Sequence, residues 1–181
     1  MSQPSITISA LNADGVYLFP STAPEFTQAL SPARPKELDV LLPYAVLIKN
    51  DTDKEIIGYS VRWNCRDASG NAGAPEVNRF DFSTFSSVIA PHGSQLVSSS
   101  IGPISAEIQW SGDLQGETER LVSYYSRQQN IAVRLDAVLF KDGTAIGLDG
   151  NNWISRWKAH IDAEREVYGL ASRAEPAELR A

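Results

Sequence analysis

The chain has 181 residues, 43% of them hydrophobic and 21% charged, which is enough apolar material to bury a core and too much for a disordered segment. Its 16 Lys and Arg against 22 Asp and Glu leave a net charge of -6, with the basic residues scattered along the chain. That excludes the clustered positive surface with which proteins grip phosphate backbones or anionic membrane, so neither nucleic acid nor membrane is expected as a partner.

The N-terminus, MSQPSITISALNADG, lacks the basic start and apolar core of a signal peptide, and no run is long enough to span a bilayer. As written the chain is expected in the cytoplasm, with a secreted mature form as the alternative. Residues 5–10 alternate, Ile6, Ile8 and Ala10 against Ser5, Thr7 and Ser9, and predict a first strand. A turn at Asn12–Gly15 leads to the short apolar run Val16–Phe19. Prolines at 20, 24, 32, 35 and 43 then block long regular elements, although Ala23–Leu30 suits two helical turns with Pro24 at the first position. Residues 1–36 are therefore read as an N-terminal strand and a Pro-rich connection of the same domain, and 37–150 as its β-sandwich core.

The stretch LLPYAVLIKNDTDKEIIGYSVRWN, residues 41–64, sets the fold class. Tyr44, Val46 and Ile48 alternate with Ala45, Leu47 and Lys49, and after Asn50–Asp53 the row Ile57, Tyr59, Val61, Trp63 and Cys65 alternates with Ile56, Gly58, Ser60, Arg62 and Asn64. A period of two with a short polar turn predicts an antiparallel hairpin with one buried face, leaving Ser60, Arg62 and Asn64 to water or polar partners. Cys65, the only cysteine, rules out an intrachain disulfide and reads as a small buried hydrophobe. Residues 66–78 form a Gly/Ala/Ser/Asp loop. Further strands are expected at Arg79–Ile89, Ser94–Ser100 and Ile104–Trp110, separated by the turns Pro91-His92-Gly93 and Gly102-Pro103. Gly112–Gly116 reads as a turn, and Glu117–Gln129 suits either period. Ile131, Val133, Leu135, Ala137 and Leu139 predict one face of a long strand, and Asp142-Gly143 a hairpin into Ala145–Leu148.

Beyond Asp149 the period becomes helical: Trp153, Trp157, Ile161 and Tyr168 share one side of a helix over 151–172, capped by Asn152 or Asp149 and open to early termination at Gly169, with 173–181 a polar tail. About eight short β segments with turn signals between them predict a mainly β fold, a sandwich or barrel, with one C-terminal α-helix. The run Ile48 to Ile56 with Tyr59-Ser-Val-Arg-Trp63 resembles the B–C strand pair of bacterial immunoglobulin-like domains. Ile89-Ala-Pro-His-Gly93 looks like their proline-glycine corner, and Val133 to Thr144, with Gly147 and a following helix, is similar to the end of uncharacterised bacterial proteins of that kind. The resemblance covers about residues 40–170 and lacks the second cysteine of antibody-type domains; it implies a fold, a mainly β, immunoglobulin-like antiparallel β-sandwich with a C-terminal α-helix, and no activity.

Candidate chemistry is sparse. His92 near Ser94 and Ser98–Ser100 has no nucleophile elbow beside it. His160 and Glu164 are one helical turn apart, which a solvated helix face explains. Asp142, Asp149, Asn151 and Asn152 lack the order of a calcium loop and suit a hairpin and a helix cap. No cofactor, metal site or catalytic residue is assigned. The reading is a non-enzymatic protein-binding or assembly module whose candidate binding residues are Trp153, Trp157, Ile161 and Tyr168, toward a protein partner or a second copy of the chain. The alternative is a hydrolase-like or small-ligand-binding protein with a site near the 66–78 loop and His92.

Overall fold

The computed structural model describes residues 5–8, 15–32, 36–66, 77–99, 102–103, 113–128 and 130–173. The expected strand at Ile104–Trp110, most of the 66–78 loop and the tail beyond Arg173 lie outside them. The chain is mainly β, 39% strand against 32% helix, with two sheets and a C-terminal helix.

The first sheet orders β1 (Ser5–Ile8), β8 (Asn130–Phe140), β4 (Ile56–Arg66) and β5 (Val77–Phe82), with β9 (Ala145–Gly147) also on β8. The second orders β2 (Val16–Pro20), β3 (Ala45–Asn50), β6 (Ser94–Ser98) and β7 (Gly102–Pro103). Between them lies the main core, where Val16, Val46, Ile48 and Val97 of one sheet meet Tyr59, Val61, Trp63, Val133 and Leu135 of the other. The outer face of the second sheet is not open. Ala45, Leu47 and Leu96 are covered by Phe26 of α1 (Pro24–Gln28), by Leu38 and Leu41 of a 3-10 helix (Lys36–Tyr44), and by Leu121 of α2 (Leu114–Tyr125). The outer face of the first sheet carries α3 (Trp153–Arg173). Burial on both faces explains why β3 reads Ala-Val-Leu-Ile without a polar alternate.

The structure corrects four expectations. Residues 41–64 are not a hairpin, because β3 and β4 belong to different sheets and the turn between them crosses the sandwich. Asn50, fully buried, holds that crossing: its Nδ2 donates to the carbonyls of Lys54 at 2.8 Å and Ala90 at 3.0 Å, and its Oδ1 accepts from the Thr52 hydroxyl at 2.7 Å. Both strands gain more elsewhere, since β4 pairs with β8 from Ile56↔Phe140 to Arg66↔Asn130 and β3 is flanked by β2 and β6. The sheets are not wholly antiparallel either, because β1 runs parallel to β8.

The alternation is also broken within the β4–β8 pair. The register shifts between Ile56 and Gly58 and again between Ser60 and Val61, where Asp136 has no opposite number. Each bulge inverts the sidedness beyond it. Ile56, not Ile57, faces the inter-sheet core, and Val138 and Phe140 replace Ala137 and Leu139 there. Ile57, Ala137 and Leu139 turn outward and become the floor for α3. Finally, the region read as a turn and an undecided segment contains α2. Asp113 caps it by accepting from the Gly116 N–H at 2.9 Å, and Leu121 and Tyr125 lie one turn apart on its buried side.

Candidate binding surface

The helix α3 is fixed to the first sheet by aromatic rings from β5. Phe80 meets Trp153 with ring centroids 4.0 Å apart, Phe82 stacks on Trp157 at 5.7 Å and 5°, and the two tryptophans are 6.0 Å apart on successive turns. His160 sets its edge to Phe82 at 5.8 Å. Gly58 makes the approach possible, because a Cβ there would stand 3.0 Å from Phe82 and 3.1 Å from Trp157. At the helix start, Asp149 carboxylate oxygens accept from the Ile154 N–H at 3.2 Å, so the cap comes from Asp149. At the other end α3 continues through Gly169.

The structure separates the four candidate binding residues. Trp157 is buried, packed with Ile57, Ala137 and Leu139, and Trp153 and Ile161 are half-buried beside it. Tyr168 stays 58% exposed and touches Phe85, which is 69% exposed, with the rings edge to face at 5.5 Å and 88°. Of the six large exposed hydrophobics among the described residues, Phe80, Phe85, Val167 and Tyr168 lie on α3 or on the β5 side of it. Phe80 and Phe85 were missed as binding candidates because the sequence reads 79–89 as one alternating strand, with Phe80 beside Phe82 and Phe85 on the side of Asp81 and Ser83, whereas β5 ends at Phe82 and Phe85 lies beyond it.

Beneath the distal half of α3 the helix and sheet part, leaving a cleft of about 610 Å³ lined by Ile57, Leu139, Ile161, Phe85 and Tyr168, with charged residues at its rim. Asp142 on that rim bonds Lys54 at 2.7 Å and the Thr144 hydroxyl, which hold its carboxyl down at about 2. A second, shallower groove of about 520 Å³ runs between the 3-10 helix and α2, past Val40, Thr118 and Val122.

On the outer face of the first sheet, Arg62 was expected to seek water or polar partners; it is buried with Asp136, Nη2 to Oδ2 3.2 Å, and Arg134 reaches the other carboxylate oxygen at 3.7 Å. The loop before α3 closes over this pair. Gly150 lies against the Arg62 guanidinium, and the Asp149 N–H donates to the Asp136 carbonyl at 2.8 Å. Cys65 is buried against α2; burial raises its thiol pKa while the neighbouring Tyr124 hydroxyl lowers it.

His92, at φ 55°, pairs with Asp53 at 2.9 Å on the outer end of the β3–β4 crossing, with both side chains largely exposed. Solvent there screens the attraction between the two side chains. Among the described residues no group of three His, Cys, Asp or Glu side chains is placed to hold a metal ion, and no helix is long and apolar enough to cross a membrane. Comparisons of the chain with protein-family models, with curated proteins and with solved structures gave no match.

Proposed function

We propose that the chain is a non-enzymatic protein-binding module on an immunoglobulin-like sandwich, and that the partner docks on the β5 side of α3. The observation that carries the reading is the exposed corner of Phe85 and Tyr168, with Val167 next to it on α3, on a helix that Trp157 anchors to the sheet farther toward its start. Aromatic side chains contribute most to interface energy when a partner desolvates them. Trp153 and Ile161 act as the support beneath that surface.

The strand orders favour the immunoglobulin-like description. β2-β3-β6 corresponds to A-B-E, and β8-β4-β5 to F-C-C′, with Trp63 fully buried on the strand equivalent to C. The parallel β1, the helix α2 ahead of β8 and the single cysteine depart from the antibody-type pattern.

The test is a photoreactive phenylalanine analogue in place of Phe85, irradiated in lysate of the source cell. The reading predicts a discrete polypeptide adduct that excess wild-type chain competes away and excess Tyr168→Asp does not. An adduct of twice the chain mass identifies the partner as a second copy. Labelling that is diffuse, or competed equally by both chains, contradicts the reading.

A further inference from the structure

Among the described residues β5 is an open edge of the first sheet, with β4 on one side of it and no strand on the other. One bond fixes which way its backbone faces. The Ser83 N–H donates to the Ile57 carbonyl at 2.9 Å, and the register on β4 runs without a shift from Gly58↔Phe82 to Trp63↔Val77. In an antiparallel ladder every second residue bonds to the same neighbour. Asp81 and Arg79 therefore turn their N–H and C=O groups toward β4, and Phe82, Phe80 and Asn78 turn theirs toward the open edge. Such a row is a template for a further strand.

The side chains decide which strand fits. Phe80 lies on the α3 side against Trp153 and is 50% exposed. Arg79 and Asp81 point to the other side, where Arg79 Nε donates to the Ser99 carbonyl and Asp81 stands opposite Tyr59. Charges on an edge strand turn most strands away, because an incoming strand has to answer each with the opposite sign. An antiparallel copy of β5 centred on Phe80 does so by symmetry. It sets Arg79 of each copy opposite Asp81 of the other, Phe80 opposite Phe80 and Asn78 opposite Phe82. The same centre brings outward-facing residues against outward-facing residues, so each of those pairs exchanges both backbone bonds. A parallel copy in register would instead set Arg79 beside Arg79 and Asp81 beside Asp81.

We infer that β5 pairs with β5 of a second copy of this chain, antiparallel about Phe80, so that the two first sheets run on as one across a twofold axis. The Phe80 rings, half open in the single chain, then cover one another beside the Trp153 rings. This surface is separate from the docking corner described above, since Phe85 lies past the end of β5 and outside the paired residues.

Sedimentation velocity on the purified full chain, over a concentration series, is expected to show a dimer that dissociates on dilution. Asp81→Arg places like charges opposite one another twice and is expected to weaken association at least about tenfold, as is Arg79→Asp. An equimolar mixture of the two is expected to recover the dimer, because each strand then answers the other's charge. Phe80→Pro removes an outward N–H without touching a bond to β4, and is expected to give a monomer with an unchanged circular dichroism spectrum. A wild-type chain that stays monomeric throughout overturns the inference. So does a dimer indifferent to Asp81→Arg and Phe80→Pro, or a mixture of the two folded charge variants that does not associate. The two readings fail separately: a competed Phe85 adduct from a chain that is monomeric when pure leaves the docking corner standing, and a β5 dimer without that adduct removes the corner alone.

Discussion

The rings of Phe85 and Tyr168 meet edge to face, 5.5 Å apart, while 69% of one residue and 58% of the other remain open to solvent. Such exposure means that neither ring contributes much to the fold. Tyr168→Ala is expected to change unfolding free energy by no more than about 0.5 kcal/mol, the usual range for surface positions. Denaturant unfolding checks this, and a loss of several kcal/mol would place Tyr168 in the core instead.

Trp157 is the contrasting case. It is 4% exposed and stacked on Phe82, so Trp157→Ala removes a large buried ring above Ile57 and Leu139. A loss of about 3–5 kcal/mol is expected. Gly58→Ala should loosen the same contact from below, because its Cβ would stand 3.1 Å from Trp157. Both variants should speed amide exchange along α3 while leaving β3 and β6 protected. Uniform loss of protection would show that the helix is not a separable layer.

Asp136 is fully buried between Arg62 and Arg134. Asp136→Ala leaves the Arg62 guanidinium buried without its carboxylate, which costs about 3–5 kcal/mol when one partner of a buried pair is removed. Urea titration of the variant reads this directly. A shift below about 1 kcal/mol would mean that water reaches the site.

Gly147 lies at φ 114°, and a Cβ there would stand 2.4 Å from the Asp136 carbonyl oxygen. Gly147→Ala is therefore strained in conformation and in space, with an expected loss of about 2 kcal/mol or more. Gly143, also at positive φ, has open space around it, so Gly143→Ala should cost less. Thermal melts of the two variants give the order, and the reverse order would contradict the packing of β9 on β8.

Stability should also fall in alkali. Burial raises the pKa of Tyr59, of the Cys65 thiol and of Tyr44, and raises Tyr124 to about 12. In each case the folded chain keeps a proton that the unfolded chain releases, so the contribution is complete below the ordinary thiol value of 9.0 and is lost as pH climbs toward the raised values. The melting temperature is expected to hold to about pH 9 and decline beyond it. A flat profile to pH 11 would argue against burial of these groups.

Much of the framework was legible in the sequence. The strands around residues 45–50, 56–66 and 130–140 and the helix from Trp153 each followed from periodicity, and Asp142-Gly143 marked the β8–β9 hairpin. Pairing was less legible, because alternation reports which residues share a face and says nothing of which strand lies alongside. Asn50 fits a tight hairpin as well as a crossing, and only its bonds to Lys54 and Ala90 distinguish them. The bulges at Ile57 and Asp136 were hidden for a related reason, since an extra residue leaves no mark in a run that is apolar on both faces. α2 did leave a signal, Asp113 followed by Thr118, Leu121 and Tyr125 at helical spacing, but adjacent Tyr124 and Tyr125 suited a strand equally.

The surface was harder to read than the core. Trp153, Trp157, Ile161 and Tyr168 do share the sheet-facing side of α3, yet the pattern that placed them together could not divide buried Trp157 from exposed Tyr168. That division depends on where the sheet ends beneath the helix. Phe85, the neighbour that completes the exposed corner, comes from a segment whose spacing gave no hint of it.

The most direct measurement compares two photoreactive positions in the same lysate, one replacing Phe85 and one replacing Val40, which is 51% exposed at the groove beside α2. The account predicts a competed polypeptide adduct from the Phe85 position and background from Val40. Adducts from Val40 with none from Phe85 would move the interface to the opposite face of the sandwich and contradict it.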